Sequence, residues 1–368
     1  MPNQLTSPTA DISAEIKPKL QLLYAVRRYG SVGGMERYVW ELTHQLQLFG
    51  HEVTVLCERC YALPAEGITV CELGEVAPRP RWLSAMRFCR RVEGWLRANP
   101  NEKRLIHSHE RIRSHHITTF HGSAFATVLE KPWWRLISLR VLMWLYLEKR
   151  ELSKAQFIVP NSEFTKQQLA HYYPKLAEKL TQPIVPGVTP LSLRKSRVIS
   201  KKGGVVGFVG VEWKRKGLPL AVAAFKKLRL SRPKVKIVVV GPVAETVLHL
   251  FSDLHGAYVL KEWCNQVDFA EFDVLIHPAQ AEPYGMVITE AMAAKVPVVV
   301  SNVCGASVEV LHKAGEVLPT DASIDEWAKA LERQLIRTNP VPQFKRSWHE
   351  VALDYEKVFL GCKQSGVV

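Results

Sequence analysis

What this sequence lacks narrows the field first. No apolar run approaches the roughly 18 residues that a membrane-spanning helix needs, and the longest candidate covers only residues 141–147. The cysteines are few, 7 in all, odd in number and scattered. With no apolar leader in residues 1–19, that pattern argues for reduced thiols and against a disulfide framework. Cys57 and Cys60 form one C-x-x-C, but no second pair supplies the remaining ligands of a structural zinc site. There is no Gly-Lys-Ser/Thr loop, which argues against an NTPase, and no G-x-G-x-x-G after either first strand, which argues against an NAD enzyme. Asp-x-Asp is absent too, so no sequence-adjacent acid pair offers to anchor a divalent metal.

Acids are also in short supply. Lys and Arg number 49 against 35 Asp and Glu, a formal charge of +14. Most of the surplus sits in residues 1–200, with 28 basic against 17 acidic side chains; residues 201–368 hold 21 against 18. The first half is thus expected to face something anionic: nucleic acid, anionic lipid or a phosphorylated substrate. No nucleic-acid-reading motif accompanies the charge, so nucleic acid is not the expected partner.

What is present is an α/β alternation. At 368 residues the chain is long for one core, and 47% hydrophobic with 23% charged residues is ordinary for a soluble globular protein. Residues 1–19 are polar and read as a loose tail. An apolar run at 20–26 reads as a buried parallel strand, followed by Gly33-Gly34, helical spacing over 35–48 and a strand at 53–56. That order is one βαβ unit. Further strands are expected at 105–107, 117–120 and 157–159. Pro183, Pro186, Gly187, Pro190 and the run 201–204 punctuate the middle, where the interdomain linker is expected. The pattern then restarts, with strands at 205–209, 235–240, 274–277 and 296–300 and helices at 217–228 and 285–294. The expected architecture is two doubly wound, Rossmann-like domains, 20–190 and 200–344. A closing helix within 345–368, with Trp348, Tyr355 and Phe359 on one face, is expected to complete the first.

The most informative segment runs from His277 to Ala294. A strand ends, a loop carries Glu282, and a helix opens near Gly285 with Glu290 in its second turn. Open α/β sheets bind ligands where strands end and helices begin. Free amides around Tyr284, Gly285, Met286 and Val287 would face an anionic or hydroxyl-rich ligand, and the two carboxylates can accept bonds from vicinal hydroxyls. Arg215 and Lys216 form a basic pair between another strand and helix.

Glu282-x7-Glu290, with Ala-Met-Ala-Ala and Pro297-Val-Val-Val after it, resembles the E-x7-E signature of family 4 retaining glycosyltransferases. The similarity extends from about Leu22 to Phe359. Gly33-Gly34-Met-Glu-Arg37 resembles that family's glycine loop near the donor phosphates, and Thr119-Phe-His121-Gly122 its strand-end histidine near the donor sugar. Asn161 to Lys166, Pro186-Gly187-Val188, Gly210-x4-Arg215-Lys216-Gly217 and Val303-Cys-Gly305 with Glu309 resemble its remaining segments. The His277, Arg215 and Val303 pieces look most like those of bacterial lipopolysaccharide-core glucosyltransferases. Departures are Thr189 after the P-G-V, Glu212 where arginine is common, and Lys295 where glycine is usual.

The resemblance implies a GT-B fold and transfer of a hexose, glucose foremost, from a nucleotide-sugar such as a UDP-sugar. His121, Glu282, Arg215 and Lys216 would serve catalysis; Gly33, Gly34, Tyr284 to Val287 and Glu290 would bind the donor. No cofactor and no metal are expected. The acceptor implied is a lipopolysaccharide-core or other lipid-linked, phosphorylated glycan, and the expected location is the cytoplasmic face of the membrane. Two basic, aromatic segments, residues 79–97 and 131–150, are candidates for contact with anionic lipid or for ordinary core-packing helices. A non-catalytic sugar-nucleotide-binding module is the alternative.

Overall fold

The computed structural model describes residues 18–189, 191–195, 199–264, 266–311 and 313–364. The expected tail therefore lies outside the described residues up to position 17, as does Pro190 of the linker.

Two six-stranded sheets organise the chain. The first contains β1 (Gln21–Ala25), β2 (Glu52–Cys57), β3 (Ile68–Glu72), β4 (Arg104–Ser108), β5 (Ile117–Phe120) and β6 (Phe157–Pro160). The second contains β7 (Val205–Val209), β8 (Lys236–Gly241), β9 (Tyr258–Glu262), β10 (Val274–His277), β11 (Val298–Ser301) and β12 (Gly315–Leu318). All the strands within each sheet pair in parallel, in the orders β3-β2-β1-β4-β5-β6 and β9-β8-β7-β10-β11-β12. Central strands covered on both faces must be apolar throughout, which is why Leu22 to Ala25 and Val206 to Val209 are buried without alternation.

The chain order reverses between β1 and β4 in one sheet and between β7 and β10 in the other. At such a switch point the connections run to opposite faces and leave a crevice beyond the strand ends. Gly33-Gly34 and His109 follow the first pair of strands; Arg215-Lys216 and Glu282 follow the second. The topology alone thus delivers most of the sequence-identified residues to two crevices.

The main helices are α1 (Gly34–Leu48), α2 (Arg81–Ala98), α3 (Leu139–Lys154), α4 (Glu163–Tyr172), α5 (Leu218–Ser231), α6 (Met286–Ala293), α7 (Ile324–Ile336) and α8 (Trp348–Gln364). The last returns to the first sheet: Trp348, Val351, Tyr355 and Phe359 join Leu22, Tyr24, Tyr38 and Leu42 in one core. Ser347 and Glu350 form a reciprocal cap at its start, with Ser347 N donating to Glu350 at 2.7 Å and Glu350 N to Ser347 Oγ at 3.2 Å. Tyr355 Oη lies 3.0 Å from Tyr38 Oη and 2.7 Å from Thr119 Oγ1, so α8 also braces the strand that leads to His121.

The departure at Lys295 has a backbone consequence. It follows α6 with φ +61°, the left-handed region that favours glycine, while Val296 N closes the turn on Ala291 O at 2.8 Å. Lysine here carries a local strain that glycine would not.

The two basic aromatic segments differ in the structure. Residues 79–97 form most of α2, which turns Phe88 and Val92 into a core with Leu23 and Leu56. Its Trp95 lies under the Arg104 guanidinium at 5.0 Å. For α2 the core-packing alternative holds, because its apolar stripe covers the sheet. In the second segment Trp133 and Trp134 are 70% and 62% exposed, and Ile137, Leu139, Leu142 and Tyr146 are exposed with them.

Candidate active site

The second crevice is built around a buried carboxylate. The turn after β7 ends at Gly217, whose φ of +79° suits glycine and whose added Cβ would fall 1.9 Å from Pro278 O. That close approach brings the turn against the loop after β10, and Gln280 N bonds Arg215 O at 2.9 Å. Lys216 Nζ then meets Glu282 Oε2 at 2.7 Å, with Arg215 Nη1 at 3.5 Å and His277 Nε2 at 3.4 Å from the same oxygen. Glu282 is itself pinned: Gly305 N bonds its carbonyl at 3.0 Å, and Ala306 N bonds Tyr284 O at 2.8 Å.

Burial alone would raise the Glu282 pKa, but Lys216, His277 and Arg215 outweigh it and hold the carboxyl well below the usual range. Burial pushes His277 down. At neutral pH the cluster is therefore a carboxylate gripped by two cations beside a neutral imidazole. Such a carboxylate is poorly placed to donate a proton, and its attachment to Lys216 keeps it from acting as a free nucleophile. Arg215 has a further partner in Glu212, with Nη2 to Oε2 at 2.6 Å. That residue is the second departure from the family pattern, and on this exposed turn it holds the arginine in place.

Glu290 points across to the other domain, where it pairs with Arg37 in the first turn of α1. Nothing in the sequence singles out Arg37 beyond its place in the glycine loop; it stands far from Glu290 in the chain, and only the fold brings the two together. Met286, the first residue of α6, packs against the cores of both domains. Gly285 precedes it with φ +95° and lets the chain enter α6 beside Glu282. The opening amides of α6, at Met286 and Val287, have no intrahelical partners. The side chain of Tyr284 is 3% exposed and sits in the core with Ile288 and Val300, which leaves its backbone, the part expected to face a ligand, near the crevice.

Gly33 caps α1 in extended backbone and Gly34 opens the helix, four residues before the core Tyr38. Arg37 N closes the first turn on Gly33 O at 2.9 Å. The glycine pair thus enters the site through the helix that carries Arg37. His121 follows β5 and is tied to the other domain by short steps: Asn161 Nδ2 donates to His121 O at 3.4 Å, and the adjacent Ser162 Oγ donates to Pro283 O at 2.7 Å. His121 Nε2 lies 2.7 Å from His109 Nδ1. Sequence reasoning chose His121 among its neighbours but gave His109 no part.

A family profile described as Glycosyltransferase Family 4 matches residues 32–189, and one described as Glycosyl transferases group 1 matches residues 192–346. The chain belongs to the family 4 GT-B glycosyltransferases. Among curated relatives of this glycosyltransferase, D-inositol 3-phosphate glycosyltransferase of Jonesia denitrificans is 24% identical, over 82% of this chain and 83% of the relative. The Gordonia bronchialis protein of the same name is 24% identical, over 86% and 80%. In fold the chain is similar to WaaG, a glycosyltransferase involved in lipopolysaccharide biosynthesis, with TM-score 0.76 and 18% identity over 91% of this chain and 95% of that one. It is also similar to HepE of Anabaena, solved in complex with UDP-glucose, with TM-score 0.65 and 16% identity over 93% and 100%.

The depressed pKa of Glu282 makes a prediction with a definite sign. Its stabilising contribution is complete above the unfolded carboxyl value of about 4.3 and is lost as pH falls toward the lower folded value. Glu282→Gln, which leaves the half-buried Lys216 without its partner, should cost about 3 kcal/mol at neutral pH. Urea denaturation from pH 7 down to pH 3 should show that gap narrowing below about pH 4. A gap that stays constant, or widens, would contradict the ionised cluster.

Proposed function

We propose that this glycosyltransferase moves a hexose, glucose foremost, from a UDP-sugar to a lipopolysaccharide-core or other lipid-linked, phosphorylated acceptor with retention at the anomeric carbon. The observation that carries the reading is the Lys216–Glu282–Arg215 cluster facing α1 and the Glu290–Arg37 pair. A donor diphosphate gains charge as its bond to the sugar breaks, and two fixed cations beside it lower that cost. Glu282 aims those cations and offers lone pairs to donor hydroxyls; Glu290 does the same for the nucleoside ribose once Arg37 yields. The amides of Gly34, Met286 and Val287, with Gly285 keeping the approach open, complete the donor cradle. His121 meets the transferred sugar.

In this reading the anomeric carbon–diphosphate bond breaks, the acceptor oxygen bonds to the same face, and its proton passes to the departing diphosphate. No metal is required, because the cations of the protein meet the diphosphate charge. The UDP-glucose bound by HepE supports the donor class, and the inositol phosphate in the curated relatives' names supports an acceptor bearing phosphate. Proton NMR of the product formed from an α-linked donor, in buffer with and without EDTA, tests both points. An α-linked product at an unchanged rate is expected; a β-linked product would overturn retention, and loss of turnover in EDTA would overturn metal independence.

The acceptor side supports work at a membrane surface, proposed as the inner face of the cytoplasmic membrane. No helix among the described residues is long and apolar enough to cross a membrane. Trp133, Trp134, Ile137 and Leu139 instead form an exposed apolar stretch with Lys131, Arg135 and Arg140 exposed among them. Amphipathic surfaces of this kind enter the interface of anionic bilayers, each basic residue adding about 1 kcal/mol. Sedimentation with phosphatidylglycerol vesicles should capture the wild type and release it in high salt, and Trp133→Ser with Trp134→Ser should weaken capture by about tenfold. Equal capture of wild type and double variant would remove this surface from the proposal.

A further inference from the structure

β4 and β5 lie side by side, and His109 and His121, each the residue after one of these strands, emerge as neighbours at the crevice of the first domain. Their rings stack with centroids 5.0 Å apart at 29°, and His109 Nδ1 is 2.7 Å from His121 Nε2. The pair is enclosed by aromatic surface. Tyr24 stacks on His109 at 5.7 Å, His107 tilts against it at 4.4 Å, and Tyr38 meets His121 edge-on at 4.9 Å. Burial lowers the pKa of both, that of His121 to about 3. Both imidazoles are therefore neutral at pH 7.

A nitrogen–nitrogen hydrogen bond between neutral imidazoles needs one N–H and one lone pair, which leaves two arrangements. If His121 Nε2–H were the donor, His109 would have to carry its own proton on Nε2. That nitrogen is buried with no hydrogen-bond partner, so the arrangement strands an N–H in an apolar nest. If His109 Nδ1–H is the donor, only a lone pair is left unmatched there, and orphaned buried N–H groups are the rarer and costlier kind. The second arrangement wins. It makes His121 Nε2 an acceptor and puts the His121 proton on Nδ1. No side chain or backbone group among the described residues is bonded to that nitrogen, and His121 is partly exposed.

We infer that His109 is a positioning residue: it fixes His121 in the Nδ1–H form, so that His121 presents a neutral N–H donor to a hydroxyl oxygen of the transferred sugar. The inference rests on the proposed contact of His121 with the sugar, but the tautomer it assigns exists without any ligand. An uncharged donor of fixed direction selects an oxygen with an available lone pair, and it adds no cation that would compete with Arg215 and Lys216 for the diphosphate.

Long-range ¹H–¹⁵N correlation spectra of the full chain, with histidine labelled, read the tautomer directly. The His121 signals are assigned by their loss in His121→Ala. Wild type should show His121 protonated on Nδ1. His109→Leu, which removes the donor, should move His121 to the Nε2–H form and lower kcat/KM for the sugar donor by about tenfold or more. His109→Asn, whose amide nitrogen can stand in for Nδ1–H, should restore both. An Nε2–H form in wild type overturns the inference, and that spectrum decides even if a variant fails to fold. An unchanged tautomer in a folded His109→Leu also overturns it. A tautomer that switches while kcat/KM holds supports the pair and overturns the contact of His121 with the sugar.

Discussion

The ionised Glu282 is the constraint around which the donor crevice is organised. A carboxylate that is 7% exposed survives only with partners that offset its burial, and the cations Lys216 and Arg215 with the His277 imidazole all approach the same oxygen. Meeting that demand dictates the surrounding backbone. The β7 turn must press against the β10 loop, which Gly217 permits, and the 282–284 segment must be stitched to 304–306. The cations that satisfy Glu282 in the folded chain are then already collected where a diphosphate would need them. In the proposed reading, structural satisfaction and donor binding share one set of atoms.

A second level of organisation lies between the domains. Arg37 with Glu290, Ser162 with Pro283, and Met286 against both cores link the two crevices. α8 adds a covalent return to the first domain and supports the β5 strand through Tyr355 and Thr119. Any opening of the crevice would have to break these contacts.

Much of the fold was legible in the sequence because parallel strands buried on both faces read as unbroken apolar runs. The run at 20–26 and those at 205–209 and 274–277 stand out for that reason. Three of the four edge strands escaped: β3, β9 and β12 are half-covered and mixed in composition, with Thr69, Lys261 and Glu316 set among apolar neighbours, whereas the apolar β6 was legible. In the site, the loop acid and the basic pair were visible as types of residue at the ends of apolar runs. Their mutual contact was not, since spacing along the chain says nothing of which loop presses on which. Arg37 opposite Glu290 and His109 beside His121 belong to the same class.

The central claim is that Lys216, held by Glu282, meets the diphosphate of the donor. Calorimetric titration of UDP, GDP and ADP into the wild type and into Lys216→Met tests it without any acceptor. The nucleotide that binds the wild type most tightly should bind the variant at least about tenfold more weakly, the loss of one charge-assisted hydrogen bond. Equal affinity for the folded variant would contradict the placement of the diphosphate at this cluster.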